Sequence, residues 1–330
     1  MKYLVTGGAG FIGSNFVRHL LAERPDAEVT NLDALTYAGH RESLAGVADN
    51  SRHRFVHGDI CDGALVREVM EGVDVVFNLA AESHVDRSIE HDQPFVRTNV
   101  LGTATLLAAT LDAGVARFVQ VSTDEVYGEL PWMDPESAEE RTRFTEDTPL
   151  APRSPYSATK AAADHLVLAY HTTHGLDVVV TRSSNNYGPY QYPEKLIPVM
   201  VRHALADEAL PLYGDGLHVR DWIHVSDHCR GLLAAAELGR AGAVYNFGGD
   251  AERTNLSVAR QILYALDRPR SLIEHVADRP GHDRRYAIDF SRATDKLGWR
   301  PEVAFDEGLG ATVRWYVENR TWAEAVSGAT

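Results

Sequence analysis

The chain has 330 residues, of which 44% are hydrophobic and 24% are charged, and its formal net charge at pH 7 is −15. This composition is typical of a globular protein of one to three domains and excludes a disordered one. The acidic balance argues against a nucleic-acid partner, because phosphate binding requires clustered lysine and arginine. No apolar run approaches the roughly 18 residues that a membrane span requires, so we expect no membrane association.

The two cysteines, Cys61 and Cys229, show neither CxxC nor Cys/His spacing. We therefore expect no disulfide framework and no metal site. The sequence runs from Met1 directly into an apolar strand, without the pattern of a signal peptide. Together these features predict a cytoplasmic protein.

Apolar strands alternate with helical patterns through the first half of the chain, which predicts a parallel sheet wrapped by helices. The predicted strands are Lys2–Thr6, Glu28–Leu32, Arg54–Val56, Val73–Asn78, Arg117–Ser122 and Asp177–Arg182. The predicted helices lie near Ile12–Glu23, Leu65–Glu71, Pro94–Ala113 and Ser157–His174. This order is typical of an α/β fold of the Rossmann type, a doubly wound parallel sheet that binds a dinucleotide.

After about Ser183 the alternation stops, and shorter elements follow between glycine and proline pairs. We predict a Rossmann domain over residues 1–183 and a smaller C-terminal domain over residues 184–330 that binds the substrate. Some later segments, such as 226–237, are expected to return to the first domain.

A glycine-rich turn follows the first predicted strand and leads at once into a helix. Gly8, Gly10 and Gly13 match the pattern G-x-G-x-x-G in the strand–turn–helix context that this fingerprint requires. The glycines allow a tight turn and a close approach of the backbone to a pyrophosphate, which then lies at the helix N-terminus. The position and context of the motif predict a dinucleotide site.

Asp33 ends the second predicted strand, 20 residues after Gly13. A carboxylate at this place would accept hydrogen bonds from the adenosine ribose. No arginine follows in Ala34, Leu35 and Thr36 to neutralise a 2′-phosphate. NAD is therefore favoured over NADP.

Tyr156 and Lys160 are four residues apart, one helical turn, and so share a helix face. A tyrosine hydroxyl beside an ammonium group has a lowered pKa and can act as a base near neutral pH. Downstream of a Rossmann fingerprint, this pair indicates a short-chain dehydrogenase arrangement. Hydride chemistry is the expected activity.

Asp124 and Glu125 follow Ser122 and Thr123 at the end of the fifth predicted strand. Open α/β sheets bind their ligands at this carboxyl edge, so the two carboxyl groups would lie beside the nicotinamide. Their mutual repulsion would keep one protonated as an acid while the other stays a base. The hydroxyl of Thr123 would hold a substrate oxygen.

The run Ser122–Gly128, STDEVYG, together with Tyr156 and Lys160, resembles the dTDP-glucose 4,6-dehydratases of the extended short-chain dehydrogenase family. Three further segments agree: NLAAESHVDRS at 78–88, SSNNYGP at 183–189 and DRPGHD at 278–283. The similarity covers essentially the whole chain. Related epimerases usually carry small residues where this chain has Asp124 and Glu125.

The resemblance implies a lyase that uses NAD within each turnover. Tyr156, supported by Lys160 and Thr123, would take the proton from the sugar O4 while the C4 hydride passes to NAD. Glu125 would then remove the C5 proton, and Asp124 would protonate the departing C6 hydroxyl. The hydride returns to C6, so dTDP-glucose becomes dTDP-4-keto-6-deoxyglucose and water.

The resemblance also implies contacts to both ligands. For NAD they are Gly7, Gly10, Phe11, Ile12, Gly13, Asp33, Ala34, Leu35, Thr36, Asp59, Ile60, Leu79, Ala80, Ala81, Ser83, Thr98, Tyr156, Lys160 and Asn186. For the nucleotide-sugar they are Ser83, Thr123, Asn185, Lys195, Leu196, Pro211, Leu212, Tyr213, Arg220, Asn255, Asp278, Arg279, Pro280, Gly281 and His282. Lys195, Arg220, Arg279 and His282 would supply positive charge for a diphosphate.

Two other activities on the same fold stay open, a nucleotide-sugar 4-epimerase and a UDP-glucose 4,6-dehydratase. The epimerase needs the tyrosine and lysine but no acid and base for water loss, so Asp124 and Glu125 count against it. A non-catalytic NAD-sensing protein is a third alternative, and it would need none of these side chains. The sequence leaves the choice between dTDP and UDP open.

A homodimer is expected from two of the predicted helices. Helix Pro94–Ala113 carries apolar side chains at helical spacing, and helix Ser157–His174 is rich in alanine. Each helix would show one face to the sheet and another to a partner, which would form a four-helix bundle. The apolar positions are Val96, Val100, Ala104, Leu107 and Leu111. The family resemblance points the same way.

Overall fold

The computed structural model describes residues 1–134, 142–278 and 281–327. Its strands are β1 Lys2–Thr6, β2 Glu28–Asp33, β3 His53–His57, β4 Val75–Asn78, β5 Arg117–Thr123, β6 Val178–Ser183, β7 Asn185–Tyr187, β8 Leu210–Tyr213, β9 Val219–His224, β10 Ala243–Phe247, β11 Glu252–Thr254 and β12 Ile273–Val276.

Its α-helices are α1 Phe11–Glu23, α2 Gly63–Val69, α3 Val85–Glu90, α4 Gln93–Phe95, α5 Thr103–Ala113, α6 Pro155–His174, α7 Leu196–Leu205, α8 Val225–Leu238, α9 Asn255–Ala265, α10 Ser291–Leu297, α11 Phe305–Glu318 and α12 Arg320–Ser327. A π-helical segment, Val96–Gly102, joins α4 to α5. Short 3-10 helices lie at Arg41–Val47, Asp124–Tyr127 and Arg270–Leu272.

Within the described residues, seven strands form one parallel sheet in the order β10-β6-β5-β4-β1-β2-β3. Strands β4 and β6 are buried along their whole length, as expected for a parallel sheet covered on both faces. The strand order reverses between β1 and β4, which makes the sheet doubly wound. The fold class predicted from the sequence is confirmed.

The two faces of the sheet pack against different helices because neighbouring residues of a strand point to opposite faces. Val5 and Phe77 pack with residues of α1 and α8. Leu4 and Val76 pack with residues of α2, α5 and α6. The carboxyl edge of the sheet remains open between these layers, and it is there that the candidate site lies.

One strand of the sheet was missed by the sequence analysis. Strand β10 pairs with β6 although it follows it by some sixty positions (Ala243 pairs with Val179). Helix α8, which contains the segment 226–237, packs on α1 through Val225 and Leu232. Local periodicity cannot show such a return, because it depends on contacts between distant parts of the chain. The domain division at residue 183 stays a prediction.

The rest of the second half forms a smaller unit beside the open edge. It contains a three-stranded sheet, β11-β9-β7, and the pair β12-β8, as far as the chain is described. Helices α7, α9 and α11 pack around a separate apolar core that includes Met200, Ile262 and Leu309. None of the helices in the described residues is both long and apolar enough to cross a membrane.

Candidate active site

A cleft of about 670 Å³ opens at the carboxyl edge of the large sheet, where the strand order reverses. Ligands of open α/β folds bind at this switch point. The glycine turn and Asp33 lie at one end of its lining, and Tyr156 belongs to the same lining although it is more than a hundred positions further along the chain. Residues 183–195 supply a further part of the wall.

The glycine turn brings the backbone close to the neighbouring strand end. Gly7 has a φ of +69°, and a Cβ atom at this position would lie 2.7 Å from the backbone nitrogen of Ala80. Gly10 is the N-cap of α1 and makes no side-chain capping bond. The backbone N–H groups of the first turn of α1 therefore border the cleft, where they can bind a pyrophosphate.

Asp33 is held in place by two backbone hydrogen bonds. Its Oδ2 accepts from the nitrogen of Ala9 at 2.8 Å, and its Oδ1 accepts from the nitrogen of Leu35 at 2.8 Å. Burial raises the pKa of this carboxyl group, and the two hydrogen bonds oppose the shift. Leu35 is absent from the cleft lining, and its φ of 51° positions its backbone for the bond to Asp33. The other predicted cofactor residues all line the cleft.

All five residues predicted for catalysis line the same cleft. Strand β5 ends at Thr123, and the 3-10 helix that follows carries Asp124 and Glu125. Helix α6 presents Tyr156 and Lys160, and its start is fixed by the capping box of Ser154 and Ser157. The Nζ atom of Lys160 donates to the carbonyl oxygen of Val121 at 2.7 Å.

Burial changes the acid–base properties of the tyrosine and lysine. The pKa of Tyr156 is raised well above its ordinary value, first by burial and then by the negative charge of Glu125. A hydrogen bond with Thr123 opposes this shift. Burial lowers the pKa of Lys160 to about 8. The lowered tyrosine pKa that the sequence spacing suggested is therefore wrong for the protein alone, because spacing does not reveal burial.

Asp124 is the buried acid of the site. Its side chain is 2% exposed, and the pKa of its carboxyl group is raised well above the ordinary value. Burial is the main cause, followed by the negative charges of Glu125 and Asp221, while Arg220 opposes the shift. Both causes favour the protonated form of this carboxyl group over its anion. Asp221, buried and with a pKa raised to about 6, was not identified from the sequence.

Six buried polar atoms of the cleft lining have no hydrogen-bond partner within the part of the chain that the structure describes. Buried polar groups are normally paired, so such a cluster at the wall of a cleft indicates a polar ligand. The atoms are Ser122 Oγ, Asp124 Oδ2, Ser184 Oγ, Asn185 Oδ1, Gln191 Oε1 and Glu194 Oε1. A dinucleotide and a sugar both offer the hydroxyl and amide groups that would pair with them.

The residues predicted for the nucleotide-sugar fall into two groups. Ser83, Thr123, Asn185 and Lys195 line the cleft. The others lie outside its lining: Leu196, Pro211, Leu212, Tyr213, Arg220, Asn255, Asp278, Gly281 and His282. Arg279 and Pro280 lie outside the described residues.

Part of the second group is nevertheless drawn together at the end of the small unit. The ring of Tyr213 lies 6.0 Å from that of His282, whose Nδ1 is 2.7 Å from Asp278 Oδ1. The charge of Arg220 acts on Asp124, so this region approaches the cleft at its catalytic end. Leu212 is 1% exposed and belongs to the apolar core, where it supports strand β8.

His218, Asp278 and His282 lie close enough together to be considered as metal ligands. The two imidazole rings, however, stack face to face with centroids 3.7 Å apart and planes 15° from parallel. An imidazole nitrogen binds metal in the plane of its ring, and one ion cannot lie in two stacked planes. The stacking therefore argues against a metal site here, and the expectation of no metal stays a prediction.

Several residues of the lining were missed by the sequence analysis. They include Tyr37, Gln93, Pro94, Arg97, Gln191, Tyr192 and Glu194. Arg97 donates to Asp59 at 2.7 Å, which connects it to a predicted adenosine contact. Tyr192 and Glu194 belong to an irregular segment that carries no periodic signal, so only the adjacent Lys195 pointed to this part of the chain.

Comparisons with known proteins agree with this geometry. A family model described as GDP-mannose 4,6 dehydratase matches residues 4–312. The dTDP-glucose 4,6-dehydratase of Xanthomonas campestris pv. campestris is 53% identical, over 98% of this chain and 95% of its own length. That of Streptomyces griseus is 55% identical, over 97% of this chain and 95% of its own. The chain belongs to the dTDP-glucose 4,6-dehydratase family.

A solved structure from this family has the same fold throughout. DesIV, the dTDP-glucose 4,6-dehydratase of Streptomyces venezuelae, was crystallised with NAD and dTDP bound. It is 52% identical to this chain, with a TM-score of 0.94, and the match covers 99% of this chain and 100% of that one. The dTDP-glucose 4,6-dehydratase resemblance identified from the sequence is thus confirmed.

Proposed function

We propose that this chain is an NAD-dependent hydro-lyase that converts dTDP-glucose into dTDP-4-keto-6-deoxyglucose and water. The observation that carries the proposal is a single cleft with a dinucleotide site at one end and, at the other, a buried Asp124 with a raised pKa beside Glu125 and Tyr156. Family membership at more than 50% identity supports the same activity. NAD and dTDP, both bound in the related DesIV, are the proposed ligands.

The residues of the cleft fit NAD. The first turn of α1 would hold the pyrophosphate, and Asp33 would accept hydrogen bonds from the adenosine ribose. The partnerless polar atoms of Ser122 and Ser184 lie in the wall toward the catalytic end. When bound, NAD supplies a hydride acceptor for C4 of the sugar and a hydride donor for C6.

Tyr156 is the proposed base for the sugar O4. The side chain of Thr123 forms a hydrogen bond with the Tyr156 hydroxyl, which would help to hold the phenol oxygen in place for the substrate. Lys160 has a pKa of about 8, so it is mostly protonated at pH 7, and its positive charge favours the ionised tyrosine. Burial opposes that ionisation, so the proton transfer is expected only when the cleft contains ligand and the local charges change.

Asp124 and Glu125 are the proposed acid and base of the elimination. Burial and the charges of Glu125 and Asp221 raise the pKa of Asp124, which favours the protonated form that would donate to the departing C6 hydroxyl. Glu125 would take the C5 proton, which the C4 ketone has made acidic. A 4-epimerase has no use for this pair.

Incubation with dTDP-glucose and mass detection of the product tests the activity. A product lighter by one water supports the proposal. The same assay with UDP-glucose measures the preference for thymine over uracil in the substrate. A product of unchanged mass, in which glucose has become its C4 epimer, would reject the dehydratase in favour of the epimerase.

We expect the protein to bind NAD roughly 100-fold more tightly than NADP, because Asp33 would face the 2′-phosphate with like charge, a contact that costs several kcal/mol. The Asp33→Asn variant should narrow that ratio. Titration of both cofactors measures it, with Asp26→Asn, an exposed position at the other edge of the sheet, as the control. Equal or tighter binding of NADP by the parent would show that Asp33 does not select NAD over NADP.

We also propose that the protein is cytoplasmic and that it forms the homodimer expected from the sequence. Val96, Leu101 and Leu111 are 50%, 54% and 37% exposed, which supports an apolar face on the helix that ends with α5. Leu107 is fully buried in the core and does not belong to this face. Leu107 instead packs among core residues that include Leu106 and Val66.

Light scattering at micromolar concentration should give the mass of two chains. Leu101→Glu should shift the protein toward monomer, because a charge cannot be buried unpaired in an apolar interface. Leu238→Glu, at a position 61% exposed on another helix, should leave the dimer intact. A monomeric parent protein would contradict the expectation.

A further inference from the structure

Histidine 228 is a buried polar residue with no part in the proposed reaction. It lies on α8, is 0% exposed, and its ring packs 6.2 Å from that of Phe247. Burial lowers the pKa of His228 to about 3, so its imidazole is neutral at physiological pH. Asp227 and Arg230, the charged neighbours on the same helix, pair with each other. The question is what a neutral imidazole does at this place.

The hydrogen bonds around Asn186 determine which ring nitrogen of His228 carries the proton. The Asn186 Nδ2 group donates to the carbonyl oxygen of Ser184 at 3.0 Å and to Ser183 Oγ at 2.9 Å. A carbonyl oxygen can only accept, so the amide NH₂ group must face Ser184, and Oδ1 must face His228. The contact of 2.9 Å between His228 Nδ1 and Asn186 Oδ1 is therefore an N–H donation from the histidine.

In this arrangement the hydrogen bonds run in one direction, from His228 to Asn186 and from Asn186 to Ser183. Both amide hydrogens of Asn186 are used within the protein, so this side chain has none to donate to a ligand. Ser183 Oγ accepts from Asn186, which leaves the serine's own hydrogen to donate elsewhere. Ser183 lines the cleft, and it pairs with Thr123 on the adjacent strand. The hydroxyl group of Ser183 therefore lies at the catalytic end of the cleft, where its hydrogen can be donated to a ligand.

We propose that His228 is a positioning residue, whose Nδ1–H group fixes the Asn186 carboxamide so that Ser183 donates a hydrogen bond to an acceptor oxygen of the bound ligand. Two ligands offer such an oxygen at this end of the cleft, the carboxamide of NAD and the hydroxyls of the sugar. The inference deepens the proposed function and rests on it for the identity of these ligands. It also changes the role expected for Asn186, from a cofactor contact to the link between His228 and Ser183.

The chain of donors predicts coupled effects of substitution. Ser183→Ala removes the last donor and should weaken binding of one ligand by about 3- to 10-fold, the range for a single neutral hydrogen bond. His228→Leu removes the first donor at similar volume and should weaken the same ligand to a similar extent. The double variant should bind no worse than either single variant, because all three lose the same interaction. His228→Asn keeps an N–H donor near the position of Nδ1, so it should bind the ligand more tightly than His228→Leu and almost as tightly as the parent.

The experiment measures dissociation constants for NADH, by fluorescence, and for dTDP-glucose, by calorimetry on NADH-loaded protein that cannot oxidise the sugar, with thermal unfolding as a check on each variant. A loss confined to NADH assigns the acceptor to the cofactor, and a loss confined to dTDP-glucose assigns it to the sugar. Cys229→Ala, the next buried position on α8, is the control and should change neither constant. These measurements do not depend on turnover, so they remain informative if the dehydratase assay fails.

NMR of the imidazole nitrogens gives a second measurement on the unmodified protein. His228 should show the tautomer protonated on Nδ1, with no titration between about pH 5 and 8. The tautomer protonated on Nε2, or additive losses in the double variant, would overturn the proposal. So would a well-folded His228→Leu protein that binds both ligands like the parent.

Discussion

Asp124→Asn and Glu125→Gln should each slow the release of dehydrated product by about 10²–10⁴-fold, the usual contribution of a general acid or base. Both substitutions preserve size while they remove proton transfer. Oxidation at C4 needs only Tyr156 and the hydride acceptor, so both variants should still bind dTDP-glucose and oxidise it slowly. Loss of water should then be the slow step in both variants.

Single-turnover absorbance of the reduced cofactor, followed together with the mass of the product, separates the two stages. Reduced cofactor should accumulate in both variants and decay quickly in the parent. Asp250→Asn changes a carboxylate that pairs with Arg143 outside the cleft lining, and it should behave like the parent. If both carboxylate variants dehydrate at the parent rate, the Asp124–Glu125 turn has no catalytic role and the epimerase interpretation returns.

The parts of this site that the sequence predicts are those encoded by short spacings. The glycine turn requires three glycines within six positions, and Tyr156 and Lys160 require one helical turn. Asp124 and Glu125 follow directly from the end of a strand. Each of these signals is local, and the fold places all of them at one edge because parallel strands share their carboxyl ends.

The parts that the sequence does not predict depend on contacts between distant segments. Asp221, whose negative charge helps to raise the pKa of Asp124, comes from strand β9, almost a hundred positions later. Strand β10 returns to the large sheet through pairing with β6 that no periodicity reveals. The role of His228 is visible only once Asn186 and Ser184 lie beside it. Burial is likewise a property of the assembled fold, and it reverses the expected direction of the Tyr156 pKa.

Tyr156→Phe should abolish the first stage of the reaction, with a loss of about 10²–10⁴-fold in the rate at which reduced cofactor forms. The variant keeps the ring and its packing and loses only the hydroxyl that Thr123 contacts. Tyr127→Phe is the matched control. Tyr127 is also buried, but its hydroxyl donates to Asn246 at 2.8 Å, and the residue is not part of the cleft lining.

The role of Tyr156 also predicts how the pH profile of the oxidation step should shift in a variant. The negative charge of Glu125 raises the pKa of Tyr156, so removing that charge should lower it. In Glu125→Gln, the rise in oxidation rate with pH should therefore occur at lower pH than in the parent, although dehydration is blocked. Stopped-flow measurement of reduced-cofactor formation across pH determines both profiles. A profile that is unchanged, or displaced to higher pH, would mean that Tyr156 is not the group whose ionisation limits the oxidation.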